Sequence, residues 1–505
     1  MKRVLFLVAV LLSVAFVAKA THNRAGEIYF RQISFLSYEA TIVTYTKESA
    51  PEDRPTLPID WGDGTTDTLE RFNGPIQNGT PYGVTIGKDI KVNKYRGTHT
   101  YNGVPSSGFY KVSMTNPNRI NNIVNIANSV GVPFFIEDTL RIYNPSTFGE
   151  NNSPRLLEPP IDFANKNDTF RHNPNAYDPD GDSLSFKLIP PRSGPVTEVP
   201  GYDYPDEVLP GPDNNFTIDQ NTGQIVWAVP KKMGVYNIAI LVQEYRDGIP
   251  MGSLVRDMQI IVEKQPNDPP RIADVKDTCI IAGSSLEKEV TAMDPDSTQS
   301  VTISASGGPF NVDGNQAQFP EQTGIGSITS TFSWDTECQH IRKEPYQVVF
   351  KAEDDYTSPN GTSIPLTDLE TWQITVVAPP PELTSVEPDN GNIDLEWNAN
   401  YPCDDIEEFT GFSVWRRKGP NPFTPDTCDR GLKGKGYTKI ADGLANFTYT
   451  DTSVLKGQYY CYRIVVDFAG IKTQNNVSNN PNYFNETESL PSNELCAELR
   501  RDVPV

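Results

Sequence analysis

The first 278 residues hold no cysteine, and only four histidines occur in the whole chain: His22, His99, His172 and His340. The six cysteines, Cys279, Cys338, Cys403, Cys428, Cys461 and Cys496, show no C-x-x-C spacing. That excludes zinc-ribbon and thioredoxin-type readings, which need paired thiols at short range. A nucleophile elbow, a phosphate-binding glycine loop, an H-E-x-x-H pair and a dinucleotide fingerprint are all missing from the sequence, and each marks chemistry that needs its residues at fixed spacing. The reading is therefore non-enzymatic. Positive charge is also scarce: 43 Lys and Arg face 65 Asp and Glu, for a net charge of −22. Phosphate repulsion then opposes nucleic acid and anionic membrane as partners. Long apolar runs are limited to the extreme N-terminus, so no later segment approaches the roughly 20 residues of a membrane span.

That N-terminal run has the layout of a secretory leader. Lys2 and Arg3 precede an apolar stretch from Val4 to Val17, and Ala18-Lys19-Ala20 follows as an A-x-A cleavage site. Residues 1–20 are read as a signal peptide and the mature chain as starting at Thr21, exported and secreted or displayed at the cell surface. In an exported chain, an even number of cysteines reads as disulfides.

No stretch sustains a 3.6-residue apolar period. Short runs of Val, Ile, Tyr, Phe and Thr alternate with polar residues instead, broken by Asn, Asp, Gly and Pro clusters that include many of the 43 prolines and 36 glycines. Alternation with frequent turn signals predicts an all-β chain of sandwiches. Its organising feature is Ala176-Tyr177-Asp178-Pro179-Asp180-Gly181-Asp182, which recurs in shorter form as Ala292-Met293-Asp294-Pro295-Asp296. A repeat at the spacing of one small domain predicts an array of similar modules.

Each module carries a resemblance. Trp61-Gly62-Asp63-Gly64-Thr65, followed by His99-Thr100-Tyr101 and Gly108-Phe109-Tyr110-Lys111-Val112, resembles the PKD family over 21–154, which implies a structural role for His99. Phe216-Thr217-Ile218-Asp219, with Thr222-Gly223-Gln224-Ile225, resembles the hairpin of cadherin-like and immunoglobulin-like modules over 155–264, and 265–378 is read as a second such module. Ile393-Asp394-Leu395-Glu396-Trp397 and the strand around Cys461 resemble fibronectin type III over 379–500, with Tyr459 at the tyrosine-corner position. The last five residues, 501–505, read as a linker or a truncated end. Thr21 to Ile28 and Asn125 to Leu140 are similar to gliding-motility-associated, type IX-secreted surface proteins of Bacteroidota. The expected fold is thus a tandem array of four immunoglobulin-like or fibronectin-like β-sandwiches. The expected role is a surface stalk or adhesin with other surface proteins or glycans as partners. A carbohydrate-binding accessory protein is the alternative, with an extracellular hydrolase behind it.

Keeping each bridge within one module predicts Cys279–Cys338, Cys403–Cys428 and Cys461–Cys496. The cadherin-like resemblance implies calcium at a joint, held by Glu244 and Asp247, by Asn267 and Asp268 of the linker, and by Asp294 and Asp296. Asp178, Asp180 and Asp182 form a second, weaker candidate. Calcium takes six to eight oxygens, which such segments supply.

Overall fold

The computed structural model describes residues 23–50, 53–87, 89–359, 363–473 and 481–500. The expected signal peptide at 1–20, Thr21, His22 and 501–505 lie outside them. The described chain is an all-β protein of several sandwiches, and its short strands follow the alternation of the sequence. Strand Thr56–Asp60, for example, buries Leu57 and Ile59 and exposes Thr56, Pro58 and Asp60.

The first two sandwiches are not separable. A sheet of fourteen strands runs through both, and one strand, Ile249–Glu263, belongs to each. It lies antiparallel to Gly234–Arg246 along its whole length and parallel to Ile161–Asn165. On the side of the first sandwich it meets Asn23–Ser34 at Gly26 and Asp257, and Phe134–Arg141 through Asp138, Thr139 and Leu140. These last pairings close the first sandwich around Ile28, Phe30, Trp61, Met114 and Phe134. Two buried ion pairs cross the same junction. Arg256 donates to both carboxylate oxygens of Glu27 at 3.0 and 2.8 Å, and Arg119 meets Asp257 at 2.7 Å. Independent modules were expected here. A shared strand and shared buried charges make one block instead.

The third and fourth sandwiches also form one block. In the third, the sheet of Arg271–Ile272, Ser285–Met293 and Ser327–Asp335 faces a five-stranded sheet that includes Tyr346–Asp354 and Thr367–Val377. Phe332, Trp334, Phe350 and Trp372 fill the space between them. The fourth pairs Leu383–Asp389, Asn392–Trp397 and Thr448–Asp451 against a sheet built on Phe409–Lys418 and Gln458–Thr473. A single buried apolar cluster continues from one sandwich into the other.

The disulfides staple this second block and correct the expected pairing. Cys279 bonds Cys428 and Cys338 bonds Cys403, so both bridges join the third sandwich to the fourth. The assumption that each sandwich closes on itself fails because the apolar core is common to both. Cys338 sits in a short 3-10 turn whose sulfur lies 3.4 Å from the Pro402 carbonyl, bringing it to Cys403. Cys461–Cys496 does form, between directly paired residues of adjacent strands. Non-reducing peptide mapping is expected to recover these three pairs. Replacing Cys338 and Cys403 together by serine is expected to lower stability by about 2–5 kcal/mol, the usual loss for a native bridge in an exported domain. A second correction is local. Tyr459 is 47 % exposed, whereas Tyr460 is buried and its hydroxyl accepts from the Leu455 N–H.

His99 has a structural place, stacked on Trp61 at 4.8 Å with its Nε2 2.8 Å from Asp63.

Candidate metal centre

The turn after strand Ala176–Tyr177 is shaped by its own first aspartate. Asp178 Oδ1 accepts from the backbone N–H groups of Asp180 and Asp182, each at 3.0 Å. Gly181 supplies the positive φ of 75° that bends the chain back. The next strand, Ser183–Ile189, pairs antiparallel with Gly234–Arg246, and that register sets Leu184 opposite Glu244. The pairing carries Glu244 beside the turn. Asp178, Asp180, Asp182 and Glu244 then each offer an oxygen, and the four lie within 4.8 Å of one another.

Three of these four residues are almost fully buried: Asp178 is 5 %, Asp182 3 % and Glu244 1 % exposed. One cation answers them. Arg246, wholly buried, donates from Nε and Nη2 to the two oxygens of Asp182 at 2.9 and 2.7 Å. Asp180 is held by the backbone N–H of Asn152 at 2.6 Å and its Nδ2 at 2.9 Å. Asp178 Oδ2 and Glu244 Oε1 are buried with no hydrogen-bond partner.

Burial and mutual repulsion make Asp178, Asp180 and Glu244 hold protons more tightly than ordinary carboxylates. Burial first, then the charges of Asp182 and Asp180, push Asp178 well above the ordinary carboxylate range. Glu244 is pushed well above its range by burial and then by Asp178 and Asp182. Burial raises Asp180 to about 6, although the hydrogen bonds from Asn152 oppose it. A cation among the four would offset the buried negative charge and satisfy both orphaned oxygens. An all-oxygen donor set suits a hard cation. With calcium–oxygen distances of about 2.3–2.6 Å, opposed ligands stand about 5 Å apart, which matches the observed spread. The residues present therefore fit calcium.

The second acidic group lies where the two blocks join. Asp294 Oδ1 accepts from the Asp296 N–H at 2.7 Å, and Asp296 Oδ2 from the Asp268 N–H at 2.9 Å. Asn267 donates to Asp354 at 2.8 Å. Burial, and secondarily the charge of Asp354, raises Asp294 to about 6. Asn267, Asp268, Asp294 and Asp296 are thus gathered as the sequence suggested, with Asp354 as an unforeseen member. Asp294 Oδ2 is buried without a hydrogen-bond partner, while both oxygens of Asp354 are taken, by the Asn267 side chain and by the Tyr356 and Leu366 N–H groups. Among the described residues no three acids here reach ligand spacing.

Glu244 and Asp247 do not join that group. Glu244 belongs to the Asp178 cluster, and Asp247, in the turn after Arg246, pairs with Lys343 and accepts from the Asn485 N–H at 2.8 Å. The order of the two candidates is therefore reversed, with the Asp178 turn the better-built site. Arg246 was missed because a cation inside an acidic cluster leaves no spacing signature. Glu244 could have been placed from the hairpin register.

No protein family matches this chain, and no curated protein does. Among solved structures, the ASH / PapD-like domain of human CEP192 (PapD-like domain 7) is 13 % identical, with a TM-score of 0.17, covering 23 % of this chain and 90 % of its own. Mouse protocadherin-24 EC1-3 is 12 % identical, with a TM-score of 0.16, covering 64 % of this chain and 92 % of its own.

Proposed function

We propose that this chain is a non-enzymatic, exported modular protein that serves as an adhesive or stalk element at the cell surface and is stiffened by calcium. Its partners in this reading are other surface proteins or glycans. The observation that carries the metal is the pair of buried, unpartnered oxygens on Asp178 and Glu244 within a set of four carboxylates. Unpaired buried polar groups cost free energy, and a hard cation removes that cost for both at once. The disulfides support an extracellular setting. The likeness of Thr21 to Ile28 and Asn125 to Leu140 to gliding-associated, type IX-secreted proteins supports a role in surface attachment or gliding.

Glycan binding is the second reading. A cleft of about 500 Å³ between the second and third sandwiches adjoins the cluster and is lined by Tyr177, Tyr245, Asn221 and Gln347. Retention on a glycan array would favour it.

Calorimetric titration with calcium tests the first reading. The expected result is saturable heat that is lost in Glu244→Gln, with affinity in the range of about 10⁻⁴–10⁻³ M usual for extracellular modules. Ligands must be deprotonated to bind, and here protons are held more tightly than usual. Affinity is therefore expected to fall as pH drops through about 6, the value to which Asp180 is raised, with protons released on binding. A flat affinity from pH 7.5 to 5 would count against these carboxylates as the ligands.

A further inference from the structure

The four sandwiches make two blocks, and the seam between them is polar. At the linker, Asn165 accepts from the Gln265 N–H at 3.0 Å and donates to the Asn267 carbonyl at 2.7 Å. Midway, Asn173 and Asn175 donate to Thr371 and Ser306 at 2.9 and 2.8 Å. At the far end, strand Asn482–Glu488 of the fourth sandwich and the end of its partner strand Gln458–Thr473 pack against the Asp178 turn and the segment before it. Asn485 donates from Nδ2 to Asp182 Oδ1 at 2.8 Å and to the Gly181 carbonyl at 3.2 Å. Phe484 stacks on Phe148 at 5.7 Å, and Thr473 donates to the Thr147 carbonyl at 2.9 Å.

Apart from Asp247, which accepts from the Asn485 N–H at 2.8 Å and pairs with Lys343, the groups that receive these strands are organised by the carboxylate cluster. Asp182 and Gly181 belong to its turn. Thr147 and Phe148 belong to a one-turn helix, Pro145–Phe148, and the Phe148 and Glu150 carbonyls accept from Arg246 Nη1 at 2.6 and 3.0 Å. Asn151 accepts from Arg246 Nη2 at 3.1 Å, and Asn152 binds Asp180. The same guanidinium thus holds Asp182 on one side and the helix segment on the other.

Building on the metal reading above, we propose that the cluster is a metal-dependent clasp that locks the second block onto the first. With the ion in place, the carboxylates are neutralised, the turn keeps Asp182 and the Gly181 carbonyl aimed at Asn485, and Arg246 keeps Phe148 and Thr147 in position. Without it, the buried oxygens of Asp178 and Glu244 are left without a partner, the turn rearranges to satisfy them, and the acceptors of the Asn485 side chain are displaced. The rest of the seam is held by polar contacts, which as a class permit domain motion, so the chain opens about the linker at 264–270. The shared strand within the first block and the two bridges within the second make this seam the place that yields. The ion then controls a closed-to-open change between non-adjacent sandwiches rather than the stiffness of one joint.

Small-angle scattering on the full chain, in millimolar calcium and in chelator, tests this alongside calorimetric calcium titration. The expected result is a larger radius of gyration and a longer maximum dimension in chelator, reversed by calcium. Asn485→Gly keeps the positive φ of 53° at that position while removing the side chain. Combined with Phe484→Ala, it is expected to bind calcium with wild-type stoichiometry yet stay extended in both buffers. Asp178→Asn with Glu244→Gln is expected to lose both calcium heat and compaction. Calcium heat in the wild type with identical scattering in both buffers would overturn the clasp and leave the metal reading standing. Compaction that persisted in the Asp178/Glu244 variant would also overturn it, because the ion would then be acting elsewhere. No calcium heat at all would overturn the metal reading and the clasp with it.

Discussion

Arg246→Leu is expected to destabilise the first block by about 3–5 kcal/mol in chelator, the usual cost of leaving a buried charge without its partner. Arg246 is wholly buried and is the only cation that meets Asp178, Asp180, Asp182 and Glu244 among the described ion pairs. Leucine fills much of its volume but leaves Asp182 without two donors and the Phe148 and Glu150 carbonyls without one each. In millimolar calcium the loss is expected to shrink markedly, because the ion supplies the missing positive charge and binds more tightly once a competing cation is gone. Urea denaturation of the wild type and the variant in both buffers measures this. Equal losses in calcium and in chelator would mean that Arg246 works independently of any metal.

Trp61→Ala is expected to cost about 3–5 kcal/mol, the range for deleting a large buried aromatic, and to melt the first two sandwiches together. Trp61 is fully buried, stacks on His99 and donates from Nε1 to Asp67 at 2.8 Å. The sequence alone suggests damage confined to the first module. The strand Ile249–Glu263 changes that expectation, because it closes the first sandwich and is also an inner strand of the second's main sheet. Hydrogen exchange read on peptides is expected to show protection lost across 23–263 and retained across the third and fourth sandwiches. Loss confined to residues before about 145 would restore the picture of independent modules.

These two expectations show what local pattern carries and what it does not. Alternation and turn residues are local, so the all-β class and the sandwich character were legible. The Asp178 turn was legible too, because Asp-Pro-Asp-Gly-Asp makes its hydrogen bonds within five residues. Pairings between distant segments were not. Nothing in Ile249–Glu263 marks it as shared between two sandwiches, and nothing near Cys279 points to Cys428. The expected bridges assumed that each module buries its own core, and the continuous apolar cluster of the third and fourth sandwiches removes that assumption. Glu244 and Asp247 stand three positions apart, and their acidity drew both toward the linker. In strand Gly234–Arg246, Glu244 points back into the Asp178 cluster, while Asp247 lies in the turn beyond it, beside Lys343. Asn485, more than 300 residues from Asp182, could be found only from the folded chain.

The most direct measurement is a crystal structure grown with terbium in place of calcium, with anomalous differences recorded at the metal's edge. The account predicts a strong peak bonded to oxygens of Asp178, Asp180, Asp182 and Glu244, with Asp178 Oδ2 and Glu244 Oε1 no longer without partners. A cluster with no peak, its carboxylates hydrogen-bonded to one another as neutral acids while metal sits elsewhere, would contradict it.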